Sequence, residues 1–316
     1  MAKIIVLDSN FAGDSSVWSP FDQIEDVAFF QSVNTEEACD LGSEAEVIVA
    51  SRKIRFDTDL LAKLPKLKYI SLLSTGYNSV DLAACKERGV IVSNVPGYSS
   101  DSVAQTAFAL ILELVQGSGS FDEEVKDGRW TDHENSIYKL RPFLELAGLT
   151  LGVFGFGAIG QKVAKIAEGF GMKVLACARS KKSGFEGVEF VSREDLFKKS
   201  DVVSLHCPLN GATEGMVDAE MLKLMKESAY LINTSRGAVV NEADLAEALN
   251  SNVIAGAGLD VMINEPPHVD NPLLKAKNII LLPHIAWTSE ASRKRLVEIS
   301  ADNVRSYLNG KPLNLV

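Results

Sequence analysis

The chain has 316 residues, of which 46% are hydrophobic and 23% charged, and it carries a formal charge of −10. That length allows two domains with sizeable cores, and the acidic balance argues against nucleic acid or an anionic membrane surface as a partner. The first apolar run, Ile4-Ile5-Val6-Leu7, is stopped by Asp8, and no apolar stretch approaches membrane-spanning length, so a cytoplasmic protein is expected. Cys39, Cys85, Cys177 and Cys207 lack metal or redox spacing, which predicts reduced core thiols and no metal site.

In chain order, short apolar runs predict strands at 3–7, 27–30, 46–50, 67–73 and 90–93. A long helix begins near Asp101 and ends by Gly117, with Val103, Ala107, Leu110, Ile111 and Leu114 at helical spacing. The polar, aromatic-spotted segment 118–146 reads as helix and loop on a surface or an interface. Strands are again expected at 150–154, 173–177, 187–190, 201–206, 229–233, 254–259 and 278–282. A last helix, 289–308, is followed by Gly310 and Pro312 as stop signals. Runs alternating with helical patterns in this way predict an α/β fold with two parallel sheets and helices on both faces.

Leu151 to Phe154 is a buried-strand pattern that enters Gly155-Phe156-Gly157-Ala158-Ile159-Gly160, and a helix-forming segment follows. A G-x-G-x-x-G loop in that setting binds a dinucleotide. Gly155 permits the tight turn, Gly157 lets the backbone approach a pyrophosphate, and Gly160 lets helix and strand pack closely. An acid normally stands at the tip of the second strand to bond the ribose hydroxyls. Here the tip reads Ala178-Arg179-Ser180-Lys181-Lys182. An arginine, a hydroxyl and two lysines suit a 2′-phosphate, so NADP(H) is favoured and NAD(H) is the alternative.

The chemistry gathers at three strand ends in the second half. Leu231-Ile232 runs into Asn233-Thr234-Ser235-Arg236-Gly237, Gly258-Leu259 into Asp260 with Glu265 five residues on, and Leu281-Leu282 into Pro283-His284. In an open parallel sheet this edge borders the ligand crevice, so Arg236, Asp260, Glu265 and His284 can converge on a nicotinamide. When a carbonyl is reduced, charge grows on its oxygen and a positioned acid must supply a proton. His284 is the candidate acid. Glu265 on the other ring nitrogen would fix the tautomer and favour the imidazolium. Arg236 can hold a substrate carboxylate and polarise the adjacent carbonyl. Taken singly, a histidine after proline or an arginine before glycine reads as structural. The joint reading prevails because one of only four histidines falls on the edge that also carries the arginine, the acid and the glycine loop. His206, before Cys207-Pro208, ends another strand and is read as lining the adenosine side, while His133 and His268 read as peripheral.

Together, Gly155 to Gly160, His206-Cys207-Pro208-Leu209, Ile232 to Gly237, Gly258-Leu259-Asp260-Val261, Glu265-Pro266 and Pro283-His284 resemble the D-isomer-specific 2-hydroxyacid dehydrogenase family. The resemblance spans nearly the whole chain. It implies a flavodoxin-like substrate domain that is discontinuous, 1–100 with 286–316, around a Rossmann-like dinucleotide-binding domain, 101–285. It implies Arg236, Glu265 and His284 as the catalytic set. Cofactor contacts are implied from Gly155, Gly157, Ala158, Ile159, Gly160, Arg179, Ser180, His206, Cys207, Pro208, Thr234, Ser235, Asp260 and Val103. The loop Ser74-Thr75-Gly76 is implied to hold the substrate carboxylate through its amides, with Arg236 and Trp287 as further substrate contacts. Relatives of this kind are homodimers, and the long helix with the segment around Trp130 and Tyr138 is the candidate interface.

Within the family, the segment from Asn94 to Gln105 and the ending Pro283-His284-Ile285-Ala286-Trp287 are similar to bacterial glycerate dehydrogenases, also called hydroxypyruvate reductases. Hydroxypyruvate is the leading small-molecule substrate implied, with glyoxylate or another small 2-oxo acid as the alternative. A phosphoglycerate dehydrogenase core and a dinucleotide-sensing protein of corepressor type are the competing readings.

Overall fold

The computed structural model describes residues 3–131, 144–179 and 185–316. The chain divides into two compact units, Met1–Ser99 with Trp287–Val316, and Ser100–Ala286.

In the first unit, five strands form one parallel sheet: β1 (Ile4–Leu7), β2 (Val27–Phe29), β3 (Val47–Ala50), β4 (Tyr69–Leu72) and β5 (Ile91–Ser93). Their order is β2-β1-β3-β4-β5, the flavodoxin-like arrangement. β1, β3 and β4 are buried along their whole length, as continuous apolar runs in a parallel sheet covered on both faces must be. Ile5, Ile48, Ile70, Leu61 and Phe56 belong to one core. The closing helix Glu290–Leu308 packs against β4. There Tyr307 stacks on Tyr69 with ring centroids 4.1 Å apart, and Ser300 shares a buried hydrogen bond with Ser71.

The second unit holds seven parallel strands: β6 (Thr150–Phe154), β7 (Lys173–Cys177), β8 (Val188–Phe190), β9 (Val202–Leu205), β10 (Tyr230–Asn233), β11 (Gly256–Leu259) and β12 (Ile279–Leu281). The order β12-β11-β10-β9-β6-β7-β8 reverses direction between β6 and β9. That switch point is where a doubly wound sheet opens its ligand crevice. The helix Ser100–Gln116 buries Ala104, Ala107, Leu110 and Ile111 and lies against β10, β11 and the helix Ala158–Gly169. β11 is built from Gly256, Ala257, Gly258 and Leu259, and Gly258 leaves room for Leu110: a Cβ there would sit 3.0 Å from that of Leu110.

The segment 118–146 contributes the helix Ser118–Lys126. His133 and Tyr138 lie outside the described residues. The cysteines are unpaired; Cys85 and Cys207 are buried, whereas Cys39 and Cys177 are half-buried. Burial pushes the Cys85 and Cys207 thiols up to about 11. Among the described residues, no helix is long and apolar enough to cross a membrane.

Candidate active site

At the end of β6 the chain turns at Gly155, whose φ of 97° is in the region that favours glycine. A Cβ there would meet the His206–Cys207 backbone. At Gly160 a Cβ would collide with the Gly155 carbonyl, so glycine permits the helix Ala158–Gly169 to start directly beneath the turn. By contrast, a Cβ on Gly157 would meet nothing within 4 Å. Gly157 is exposed and caps that helix without a side-chain hydrogen bond, which leaves the helix start open to an anion such as a pyrophosphate. Val103 is buried in the helix Ser100–Gln116. At the tip of β7, Ala178 is half-buried and Arg179 exposed. Ser180, Lys181 and Lys182 lie outside the described residues.

The register aligns the other strand ends. Leu205, Asn233, Leu259 and Leu281 are paired partners across β9, β10, β11 and β12. His206, Thr234 and Asp260 therefore follow in one row. Two buried atoms in this row, His206 Nδ1 and Thr234 Oγ1, lack a protein hydrogen-bond partner. Buried polar groups rarely stay unpaired, so these two fit a polar ligand group. His206 Nε2 pairs with Ser204 Oγ at 2.8 Å. Desolvation pushes this imidazole down from the usual 6.5 to about 3, so it is neutral. With the exposed Gly157 and a helix start that has no side-chain cap, these two atoms fit a nicotinamide dinucleotide. Cys207 packs into the core while Pro208 is exposed.

Arg236 is set by Asn233, which is fully buried. Asn233 Nδ2 donates to the Arg236 carbonyl at 2.8 Å, and its Oδ1 accepts from the amide and hydroxyl of Ser235 at 3.0 and 2.8 Å. The half-buried guanidinium donates to the Ser235 carbonyl at 2.7 Å. Gly237 allows the Arg236 loop to touch the next one, since a Cβ would overlap the Met262 backbone. That next loop carries Glu265. Glu242 holds it, accepting from the Ile263 amide and the Asn271 side chain at 2.7 Å each.

His284 Nδ1 lies 2.6 Å from Glu265 Oε2, with the two side chains 16% and 25% exposed. The pair is sheltered yet open to a ligand. His284 has φ 56°, a left-handed conformation that costs energy unless its surroundings hold it. Asp260 supplies the hold: its two carboxylate oxygens accept from the Ile285 and Ala286 amides at 2.8 and 2.9 Å. Ser102 Oγ adds a bond to the Ala286 carbonyl at 2.6 Å. Burial raises the Asp260 acid above the usual carboxylate range, opposed by these amides and by His284. Asp260 was expected only as a cofactor contact. Its backbone clamp and that of Asn233 carry no mark in the sequence beyond a polar residue at the end of a strand or just past it.

Two expected substrate elements lie in the other unit. Ser74, Thr75 and Gly76 follow β4, with Ser74 buried and Thr75 exposed. Ser74 Oγ donates to the Gly76 carbonyl at 2.6 Å. Trp287 is 9% exposed, stacked on Phe11 at 4.5 Å and edge-on to Tyr98 at 6.3 Å.

Residues 108–286 match the family model described as D-isomer specific 2-hydroxyacid dehydrogenase, NAD binding domain. The chain is 38% identical to a hydroxypyruvate reductase of Blautia hydrogenotrophica, over 99% of each chain. It is 42% identical to a glyoxylate reductase of Thermococcus litoralis, over 86% of this chain and 84% of the relative. Among solved structures, an acyclic imino acid reductase (Bsp5) in complex with NADPH and D-Arg superposes with a TM-score of 0.89 at 34% identity, over 99% of each chain.

Proposed function

Because this chain belongs to the D-isomer specific 2-hydroxyacid dehydrogenase family, we propose that its reaction, hydride transfer between a nicotinamide dinucleotide and a small 2-hydroxy acid, is the reduction of hydroxypyruvate to D-glycerate. Glyoxylate is the second substrate. The observation that carries the reading is the Glu265–His284 contact of 2.6 Å at the ends of β11 and β12.

When bound, the dinucleotide supplies the hydride to the carbonyl carbon. The chain's own residues manage the charge and the proton. With Nδ1 bonded to Glu265, His284 presents Nε2 as the proton donor to the oxygen that becomes the hydroxyl. Glu265 offsets the imidazolium charge before transfer and keeps the donating nitrogen oriented. Arg236 pairs with the substrate carboxylate and polarises the neighbouring carbonyl, a task suited to a planar guanidinium. The amides of Ser74, Thr75 and Gly76 are assigned to a substrate carboxylate, and Trp287 to substrate contact.

The dinucleotide is assigned to Gly155, Gly157, Ala158, Ile159, Gly160, Arg179, Ser180, His206, Cys207, Pro208, Thr234, Ser235, Asp260 and Val103. Ala178 and Arg179 at the tip of β7 support NADP(H) over NAD(H), because no carboxylate at that tip repels a 2′-phosphate. Unpaired cysteines suit a reducing cytoplasm. A homodimer through the second unit is supported by the exposed Val125 and Trp130. The test is steady-state oxidation of NADPH and NADH, separately, with hydroxypyruvate, glyoxylate, pyruvate and phosphohydroxypyruvate. Hydroxypyruvate with NADPH is expected to give the highest kcat/KM. A preference for pyruvate or phosphohydroxypyruvate would overturn the substrate assignment.

A further inference from the structure

Between the first two glycines of the turn after β6 stands a phenylalanine. Phe156 is 2% exposed and belongs to one core with Val163, Ala164 and Ala167 of the helix that follows. The Gly155 amide donates to the Cys177 carbonyl at 2.9 Å, which fixes the entry to the turn. Beyond it, the Phe156 carbonyl accepts from the Gln161 side chain at 3.1 Å. Gly155 and Gly157 have no side chains with which to hold their own backbone, and glycine is the residue freest to move. The ring of Phe156 is therefore the anchor that ties this turn to the core.

Two further rings close on that anchor. Phe190 of β8 lies 5.3 Å from it at an interplanar angle of 81°, and Phe185 lies 4.9 Å from it at 86°. Edge-to-face contacts of this kind favour one mutual orientation of the rings, so they fix the direction of Phe156 as well as its depth. The two neighbours are held differently. Phe190 is set by the sheet, where it pairs with Ala176 of β7. Phe185 belongs to no strand or helix, is 36% exposed and comes six residues after Arg179 at the tip of β7. Glu186 and Gly187, which follow it, are exposed, and Gly187 turns the chain into β8 with φ 79°. In this exposed connection the Phe185 ring is turned inward onto Phe156.

We propose that Phe185 is a positioning residue for dinucleotide binding, which through its contact on Phe156 holds the Gly155–Gly157 backbone in the form that takes the pyrophosphate. The proposal rests on the reading above that the dinucleotide lies on this turn. Phe185 acts on the ligand through the turn rather than by contact. NADH and NADPH share the pyrophosphate, so its effect is the same on both, unlike that of a side chain that reads the 2′-phosphate.

The experiment compares Phe185→Ala, Phe185→Leu and Phe185→Tyr with the unsubstituted full chain. The readouts are Kd for NADH and for NADPH by fluorescence titration, kcat with hydroxypyruvate at saturating dinucleotide, and Tm, with all titrations run well below each Tm. Phe185→Ala removes the edge-to-face contact and should raise both Kd values by one common factor of about five, with kcat changed by less than about twofold. Phe185→Leu keeps apolar bulk without the ring and should raise both about twofold to threefold; it carries the test if Phe185→Ala does not fold. Phe185→Tyr keeps the ring and places a hydroxyl at an exposed position, so it should bind both dinucleotides as the unsubstituted chain does. Unchanged Kd in Phe185→Ala and Phe185→Leu, or a loss confined to NADPH, overturns the proposal and leaves the dinucleotide site standing. A loss in Phe185→Tyr as large as in Phe185→Ala also overturns it, because the ring would then not be the positioning group. Failure of the unsubstituted chain to bind either dinucleotide overturns the site reading and the proposal with it.

Discussion

With Nδ1 of His284 lying 2.6 Å from Glu265 Oε2, Nε2 is the ring nitrogen left to meet a substrate oxygen. A pair that works as one proton device has non-additive deletions. His284→Gln should lower kcat by about 10²–10⁴-fold while leaving dinucleotide binding intact. Glu265→Gln should give a smaller fall, because the amide still fills the position without its charge. The double variant should be no slower than His284→Gln alone. Pre-steady-state and steady-state kinetics on the three proteins check this, and a double variant slower by the product of the two single effects would show that the residues act independently.

The clamp on the residues after His284 gives a second expectation. In Asp260→Asn one acceptor becomes a donor facing the Ile285 or Ala286 amide. Amide bonds to a charged acceptor are each worth about 1.5–3 kcal/mol, so the variant should lose at least about 2 kcal/mol of unfolding free energy by urea titration. Because the released segment includes a left-handed His284, kcat should fall at least about tenfold. Normal kcat in a destabilised variant would mean that the clamp serves stability alone.

Gly237 stands where the Arg236 loop meets the backbone of Met262. An added methyl must push the two loops apart, and overpacking of this kind costs about 1–3 kcal/mol. Gly237→Ala should therefore unfold at lower urea and also raise KM for the 2-oxo acid, because the guanidinium and Glu265 are carried by the two displaced loops. Wild-type KM with reduced stability would separate the packing role from the site.

Acid should expose the buried imidazole of His206. Its ionisation is depressed from the usual 6.5 to about 3 by desolvation, so the unfolded chain takes up a proton below pH 6.5 that the folded chain refuses. Stability contributed by this group is present above that pH and is lost as pH falls towards 3. In the dinucleotide-free protein, wild type should lose stability relative to His206→Gln as pH is lowered from 7 to about 4. Parallel curves of Tm against pH for the two proteins would show that His206 does not titrate in this way.

The fold was legible because buried parallel strands are written as continuous apolar runs. Val6, Val49 and Leu72, or Leu151 and Val153, need no partner to be recognised. The glycine loop was legible for a local reason as well, since Gly155 and Gly160 serve contacts within a few residues or at the next strand end. The supports of the site were not. Asp260 reaches amides 25 and 26 residues away, and Glu242 reaches an amide 21 residues away. In sequence these are single polar residues beside strands or on a helix. Their partners exist only once the sheets have ordered the strand ends, and φ 56° at His284 carries no sequence mark because histidine, although enriched among the few non-glycine residues at positive φ, mostly lies elsewhere.

The proposed preference for NADP(H) rests on one side chain at the tip of β7. Ala178 follows Cys177 directly, at the place where an acid would accept hydrogen bonds from the ribose hydroxyls and repel a 2′-phosphate. Ala178→Asp introduces both effects at once, one attractive to NAD(H) and one unfavourable to NADP(H). The ratio of kcat/KM for NADPH over NADH should fall about tenfold or more, equivalent to about 1.4 kcal/mol. Arg179→Ala should lower NADPH use without improving NADH, because it removes a cation and adds no acceptor. Changes of equal size for both cofactors in both variants would mean that this tip does not select between them, and the preference would then have to be sought elsewhere along the row of strand ends.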